Sequence, residues 1–177
     1  MKTLRLLALA ALAGIALLAI GGCTDTSTRS FLTVVSVNDG HVFYSDLVSD
    51  SGTVVADEAK IQLGNIPADG GTPLAPGTPY SEIVVTGYSV TYDNGIYPPY
   101  SGGLTLRIPQ GETVEGSIAL SDLGAKASVP TNIASATTAR IKVTGFVQAN
   151  GPNNGDKVEA LASVPVQVAN FKDSDLP

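Results

Sequence analysis

The chain has 177 residues, a formal net charge of −6 and a single cysteine, which together exclude several classes of protein. The length fits one domain with a sizeable core, and the acidic balance argues against binding to nucleic acid or to an anionic lipid face. A lone cysteine cannot form an intramolecular disulfide. If Cys23 is acylated, a thiolate nucleophile and a cysteine metal site are excluded as well.

The N-terminal segment has the layout of an export signal. Lys2 and Arg5 supply positive charge, an apolar run from Leu6 to Ile20 follows, and two glycines precede Cys23. The run is shorter than the about 20 residues that a spanning helix needs, and glycines are poor helix formers where such a helix would finish its crossing. We therefore predict a signal peptide, helical in its apolar run, over residues 1–22, followed by a lipid-attachment cysteine.

The segment Ile20-Gly21-Gly22-Cys23 resembles the bacterial lipobox, at which lipoproteins are cleaved and acylated. This resemblance implies that a lipid on Cys23 holds the protein at a membrane of the bacterial cell envelope. Thr24 and Asp25 come next, and by the sorting rule of enterobacterial lipoproteins they imply the outer membrane. The alternatives are an uncleaved membrane anchor and an ordinary secreted protein with a chance cysteine.

Residues 23–30 are predicted to be the lipidated cysteine and a short tether. The segment from Thr24 to Ser30 is entirely polar and contains no periodic pattern. Fully extended, it reaches at most about 25 Å. The folded domain, expected over residues 31–177, should therefore sit close to its membrane.

Alternation of apolar and polar residues predicts β-strands through the rest of the chain. In the last predicted strand the apolar residues in phase are Val158, Ala160, Ala162, Val164, Val166 and Val168. An earlier face, from Thr53 onward, carries Val55, Asp57, Ala59, Ile61 and Leu63. The predicted strands cover residues 31–37, 41–47, 53–66, 80–93, 103–109, 112–121, 139–149 and 156–170. Turns rich in Asn, Asp and Gly separate several of them, and the long loop 122–138 leaves room for a short helix or an extra strand.

About seven or eight short strands, each with one apolar face, predict an all-β, antiparallel sandwich. A closed barrel is the alternative. Pro165 lies inside the last predicted strand and favours the open form, because proline in a strand is tolerated chiefly at an edge or a bulge.

Four features carry a resemblance to a family. They are Val54-Val-Ala-Asp57, Tyr88-Ser-Val-Thr-Tyr92, Ser101-Gly-Gly-Leu104 leading to Ile108-Pro109, and Val168-Ala-Asn-Phe171. In this order the chain resembles uncharacterised bacterial lipoproteins with a single immunoglobulin-like domain. The resemblance implies an immunoglobulin-like β-sandwich and supplies no activity. The paired cysteines and core tryptophan of antibody domains are absent from the sequence.

His41 is the only histidine, so a Ser-His-Asp triad would have to use it. It follows the turn Asn38-Asp39-Gly40, and the chain has no Gly-x-Ser-x-Gly elbow. We expect a surface histidine beside a turn, hence no catalytic residue and no enzyme. A small hydrolase that uses His41 is the alternative.

Neither a metal nor a cofactor is predicted. A zinc site needs three or four Cys, His or carboxylate ligands, which one histidine and one acylated cysteine do not supply. Asp93-Asn94 and Asn153-Asn154 with Asp156 are oxygen-rich, but they lack the spacing of a calcium loop and suit turns. A calcium-dependent adhesion domain stays as an alternative.

Five of the six tyrosines lie between Tyr80 and Tyr100. Tyr88 and Tyr92 are assigned to one strand face with Val84 and Val90 and are predicted to pack in the core.

The segment Tyr97-Pro98-Pro99-Tyr100 is predicted to form a stiff loop at one end of the sandwich. Rigid aromatic rings with a polar tip suit contacts with protein or sugar. Tyr97 and Tyr100 are therefore the candidate partner-binding residues, and the alternative is that both rings fold back over the sheet edge.

The sequence thus predicts a lipid-anchored, non-enzymatic interaction or structural module of the cell envelope. Its expected partners are the membrane, through the lipid on Cys23, and an envelope protein or a glycan.

Overall fold

The computed structural model describes residues 30–68, 70–75, 78, 80–148 and 155–171. The predicted signal peptide, Cys23 and the tether up to residue 29 lie outside these ranges. In the described part of the chain, no helix is long and apolar enough to cross a membrane.

In these described ranges, the fold consists of eight strands and one short α-helix. The strands are β1 (Ser30–Val37), β2 (Phe43–Asp46), β3 (Glu58–Pro67), β4 (Glu82–Tyr92), β5 (Tyr100–Pro109), β6 (Thr113–Ala119), β7 (Ser135–Val147) and β8 (Lys157–Ala169). Helix α1 spans Leu123–Ala127, and a 3-10 turn spans Asn38–Gly40. Each predicted strand corresponds to an observed one, and the predicted loop 122–138 contains α1 and the start of β7.

The strands form two sheets in a sandwich-like arrangement. One sheet has three strands in the order β1-β3-β6, and the other has five in the order β2-β8-β7-β4-β5. The predicted all-β, two-sheet class is confirmed. The pairing is not purely antiparallel, because β2 runs parallel to β8, with Phe43 opposite Val166.

The core lies between the two sheets, because nearly every strand turns one apolar face inward. Fully buried members from both sheets include Ala59, Ile61, Leu63, Ile83, Val85, Val90, Ile108, Val143 and Val168. Tyr88 and Tyr92 are also buried, as predicted.

A β-bulge in β4 changes the expected phase of that strand. Val85 lies opposite Gly145, but Gly87 lies opposite Thr144, so Thr86 is an extra residue. The bulge shifts the inward-facing positions of β4 by one residue, so that Tyr88 faces the core. Val84 is consequently on the outward face, and its predicted sharing of a face with Tyr88 is wrong.

Pro165 sits where β8 is paired on one side. It lies opposite Thr138 of β7, while the ladder with β2 begins only at Val166. The missing N–H of Pro165 therefore falls just beyond the end of the parallel ladder, in agreement with the expected edge-like position.

Strand β1 includes Ser30, one residue before the predicted start of the first strand. Ser30 belongs to β1, is fully buried, and accepts a hydrogen bond from Gln110 Nε2 at 3.0 Å.

Candidate functional site

A buried ion pair joins Asp57 to Lys126. Lys126 Nζ lies 2.6 Å from Asp57 Oδ1, and the two side chains are 1% and 5% exposed for lysine and aspartate respectively. The other ion pairs in the described ranges have at least one partner well exposed to solvent. These two charges are therefore part of the interior and not of the solvated surface.

Local structure brings the two charges together. Asp57 precedes β3 in phase with its inward residues, and its carbonyl accepts a hydrogen bond from Leu120 N at 2.9 Å. Lys126 is carried by α1, whose N-terminus is capped by Asp122 through Gly124 N and Ala125 N. The ammonium also donates to Val55 O at 2.7 Å. Helix α1, although short, thus holds a cation beneath the end of the sandwich.

Hydroxyl groups complete what we call the buried ion-pair cluster: Asp57, Lys126, Ser45, Ser121 and Tyr97. Ser45 Oγ donates to Asp57 Oδ2, and Ser121 Oγ donates to the same oxygen at 3.4 Å. Ser45 Oγ and Tyr97 Oη are 2.9 Å apart. Since Ser45 belongs to the five-stranded sheet and Asp57 leads into the three-stranded one, the cluster ties the two sheets together.

Two tyrosines close the cluster from the core side. Tyr92 and Tyr97 meet edge to face, with ring centroids 5.1 Å apart and planes at 74°, and Tyr92 Oη donates to Leu120 O at 3.2 Å. Burial raises the pKa of Tyr97 to about 12, and the nearby Asp57 charge acts in the same direction. Burial and the Asp57 charge also raise the pKa of Tyr92.

The chemistry of this cluster is that of a structural element that holds the two sheets together. Burial raises the pKa of Asp57 above its ordinary value, and the hydrogen bonds from Lys126 and Ser45 offset part of that effect. Both carboxylate oxygens already accept hydrogen bonds. No substrate reaches either charge unless this end of the sandwich opens locally.

Tyr97 is not at the surface. Its ring is 1% exposed and its hydroxyl is used inside the buried ion-pair cluster. The expectation that this ring is presented to a partner is therefore wrong, and the physical reason is the burial of the ring against Tyr92. Tyr100 is half-buried, with its ring 6.2 Å from that of Tyr88, and its role in partner binding stays a prediction.

Sequence reasoning missed the ion pair although one signal was present. Asp57 falls in phase with Ala59, Ile61 and Leu63, so an inward carboxylate could be read from the alternation. Its partner could not be read, because Lys126 lies 69 positions away in a stretch without periodicity.

The other sequence candidates remain apart from this cluster. His41 is exposed, and only its backbone takes part in the hydrogen bonds of the neighbouring turn. Asp93 is paired with Arg140. Asn153 and Asn154 lie outside the described residues. Within the described ranges, no group of three or more His, Cys, Asp or Glu side chains is placed to hold a metal ion.

A groove of about 760 Å³ crosses the outward face of β4, β7 and β8. Its lining includes Ser89, Thr91, Thr138, Arg140, Lys142, Leu161 and Ser163. Leu161 is 76% exposed there. Arg140 pairs with Asp93, and Lys142 pairs with Glu159 at 2.8 Å. We call this surface the outer groove; it offers hydroxyls, charges and one apolar side chain on rigid strands.

No family model, no curated protein and no solved structure matches the chain.

Proposed function

We propose that the protein is a lipid-anchored, non-enzymatic interaction or structural module of the bacterial cell envelope, at the outer membrane. The observation that carries this proposal is how soon the fold begins after the lipobox cysteine. Only residues 24–29 separate Cys23 from Ser30, whose side chain is buried and hydrogen-bonded to Gln110. A lipid on Cys23 would hold a folded body within about 25 Å of the bilayer.

The number of acyl chains decides how firmly the protein is held at the membrane. A single acyl chain gives only reversible membrane binding, at about 0.8 kcal/mol per buried methylene, whereas two or more make release negligible. The Cys23→Ala variant, exported behind a leader whose cleavage does not need the cysteine, should therefore move from the membrane fraction to the aqueous fraction. If that variant stays membrane-bound without residues 1–22, the anchor is contradicted.

The strand order supports an immunoglobulin-like sandwich. If β1 and β2 are two halves of the first strand, β3 and β6 take the places of strands B and E, and β4, β7 and β8 those of C, F and G. The parallel pairing of β2 with β8 then follows, because the first strand crosses from one sheet to the other. Such sandwiches commonly serve as scaffolds that present a surface, which is an argument from fold analogy alone.

The outer groove is the surface that we assign to the partner. Strand-borne side chains are held more rigidly than those on loops, and the burial of Tyr97 weakens the case for the loop at 97–100. A photo-crosslinking residue placed at Leu161 in living cells should trap a discrete envelope protein. The same residue at Pro98, exposed beside Tyr97, is the matched control. Adducts at Pro98 without adducts at Leu161 would move the partner site back to the loop.

The hydroxyls of the outer groove favour a glycan as the second candidate partner. Ser89, Thr91, Thr138 and Ser163 offer donors and acceptors along its length. If a glycan is the ligand, fragments of cell-wall or surface polysaccharide should shift backbone amide signals of β7 and β8. Shifts spread over the whole chain, or none, would remove this candidate.

Calcium binding finds less support at the turn after β4. The carboxylate of Asp93 is held by Arg140, a cation that competes with calcium for the same oxygens. Melting curves with and without a chelator test the alternative, and an unchanged midpoint ends it.

A further inference from the structure

An apolar patch lies on the outward face of the three-stranded sheet, at the end where the chain enters the fold. Phe31, Val35 and Ile66 are 55%, 56% and 51% exposed, and Phe31 lies directly opposite Ile66 in the β1–β3 ladder. A Cβ built on Gly64 would contact Val35 and Thr33, which puts both on the same face as Ile66. We call Phe31, Val35 and Ile66 the entry patch.

Charge is distributed unevenly along this face. The row beside the entry patch consists of Thr33, Gly64 and Thr113, which carry no charge. Exposed Glu112 lies beside β3 at this end, because its backbone carbonyl accepts a hydrogen bond from Asn65 N at 3.1 Å. Glu115 and Lys60, which pair at 3.8 Å, lie farther from the chain entry. The entry patch and the row beside it thus carry no charge, and the acidic Glu112 lies next to them.

The chain outside the described residues indicates what covers this patch. Phe31 is the second residue of β1 and lies eight positions after Cys23. With Cys23 in a bilayer, the segment 24–29 keeps Ser30, the residue before Phe31, within about 25 Å of the lipid. Burial of exposed aromatic and branched apolar side chains at the headgroup boundary of a nearby bilayer lowers the free energy.

We propose that the entry patch docks on the lipid surface to which Cys23 is attached, so that the three-stranded sheet faces the bilayer. This inference rests on the proposed lipid anchor. Because the outer groove lies on the other sheet of the sandwich, docking would turn that groove away from the membrane and towards partners.

The test uses the acylated protein in phospholipid vesicles. Because acylation consumes Cys23, Val35→Cys provides the only free thiol for a polarity-sensitive fluorophore, and Leu161→Cys provides the matched control in the outer groove. Lipids with a quencher near the headgroup should quench the label at position 35 several-fold more strongly than the label at 161. Adding Phe31→Ser and Ile66→Ser should abolish that difference while the protein still floats with the vesicles.

The contrary results are separable. Equal, weak quenching at both positions on protein that floats with vesicles would overturn docking and leave the anchor intact. Protein that fails to float would overturn the anchor and the docking together. A label at position 35 that is already shielded in lipid-free Cys23→Ala protein would show that this chain or a second copy covers the patch, which also overturns the proposal.

Discussion

At the scale of single residues, the energetics of the sandwich centre on the pair Asp57 and Lys126. Removing two charges from water costs several kcal/mol per ion, and their attraction repays this only with good geometry and further hydrogen bonds. Here Ser45, Ser121 and the carbonyl of Val55 supply those bonds. The pair therefore contributes mainly by fixing how the two sheets meet, and either charge alone would be a severe defect.

Removal of the lysine should show this directly. Lys126→Met leaves the Asp57 carboxylate buried without its cation, and the free energy of unfolding should fall by about 3–5 kcal/mol in denaturant titration. Lys60→Met breaks an exposed pair with Glu115 and should cost at most about 1 kcal/mol. The double variant Asp57→Leu with Lys126→Met should recover much of the loss. Similar small losses for Lys126→Met and Lys60→Met would contradict this structural role of the buried pair.

The raised pKa of Tyr97 predicts that the protein loses stability at alkaline pH. Its folded pKa of about 12 lies above the unfolded value of 10.0, so folding favours the neutral phenol. This contribution is complete below pH 10, falls as the unfolded state ionises first, and is lost above pH 12. Two pKa units correspond to at most about 2.7 kcal/mol. Denaturation followed from pH 9 to 12 should show a shallower decline for Tyr97→Phe than for the unaltered protein; identical declines would show that Tyr97 titrates normally.

At the scale of elements, much of the fold was readable from the sequence. Period-2 alternation predicted the strands of the described residues because most of them bury one face, as the inward valines of β8 show. Features that depend on partner strands were not readable. The bulge at Thr86 depends on the pairing of β4 with β7, and the parallel direction of β2 depends on its pairing with β8. The candidate site was harder still, since Lys126 and Tyr97 reach Asp57 only through tertiary contacts.

Close approach of β4 beside its bulge makes one glycine of β7 costly to replace. A Cβ at Gly145 would lie 2.5 Å from Val84 O, a backbone atom beside the bulge. Gly145→Ala should therefore destabilise the fold by about 1–3 kcal/mol, the usual cost of overpacking. At Gly103 of β5 a Cβ meets nothing within 4 Å, and Gly103→Ala should stabilise by about 0.5–1 kcal/mol through reduced chain entropy. Thermal melts of the two variants should shift in opposite directions, and a harmless Gly145→Ala would refute the close approach.

At the scale of the whole molecule, the proposed anchor, the sandwich and the outer groove would form one arrangement. The lipid on Cys23 would fix the protein at the envelope, the entry patch would turn the three-stranded sheet towards the bilayer, and the outer groove would face partners. The buried ion-pair cluster holds the two sheets against each other, so that their outward faces stay on opposite sides of the sandwich. Each part has its own test, but all of them presuppose acylation of the sulfur.

Intact mass spectrometry of the protein isolated from native membranes tests that premise most directly. The account predicts a chain that begins at Cys23, without residues 1–22, and that carries the added mass of a diacylglyceryl group with or without a further acyl chain. A chain that retains residues 1–22, or one that begins near Cys23 with an unmodified thiol, would contradict it.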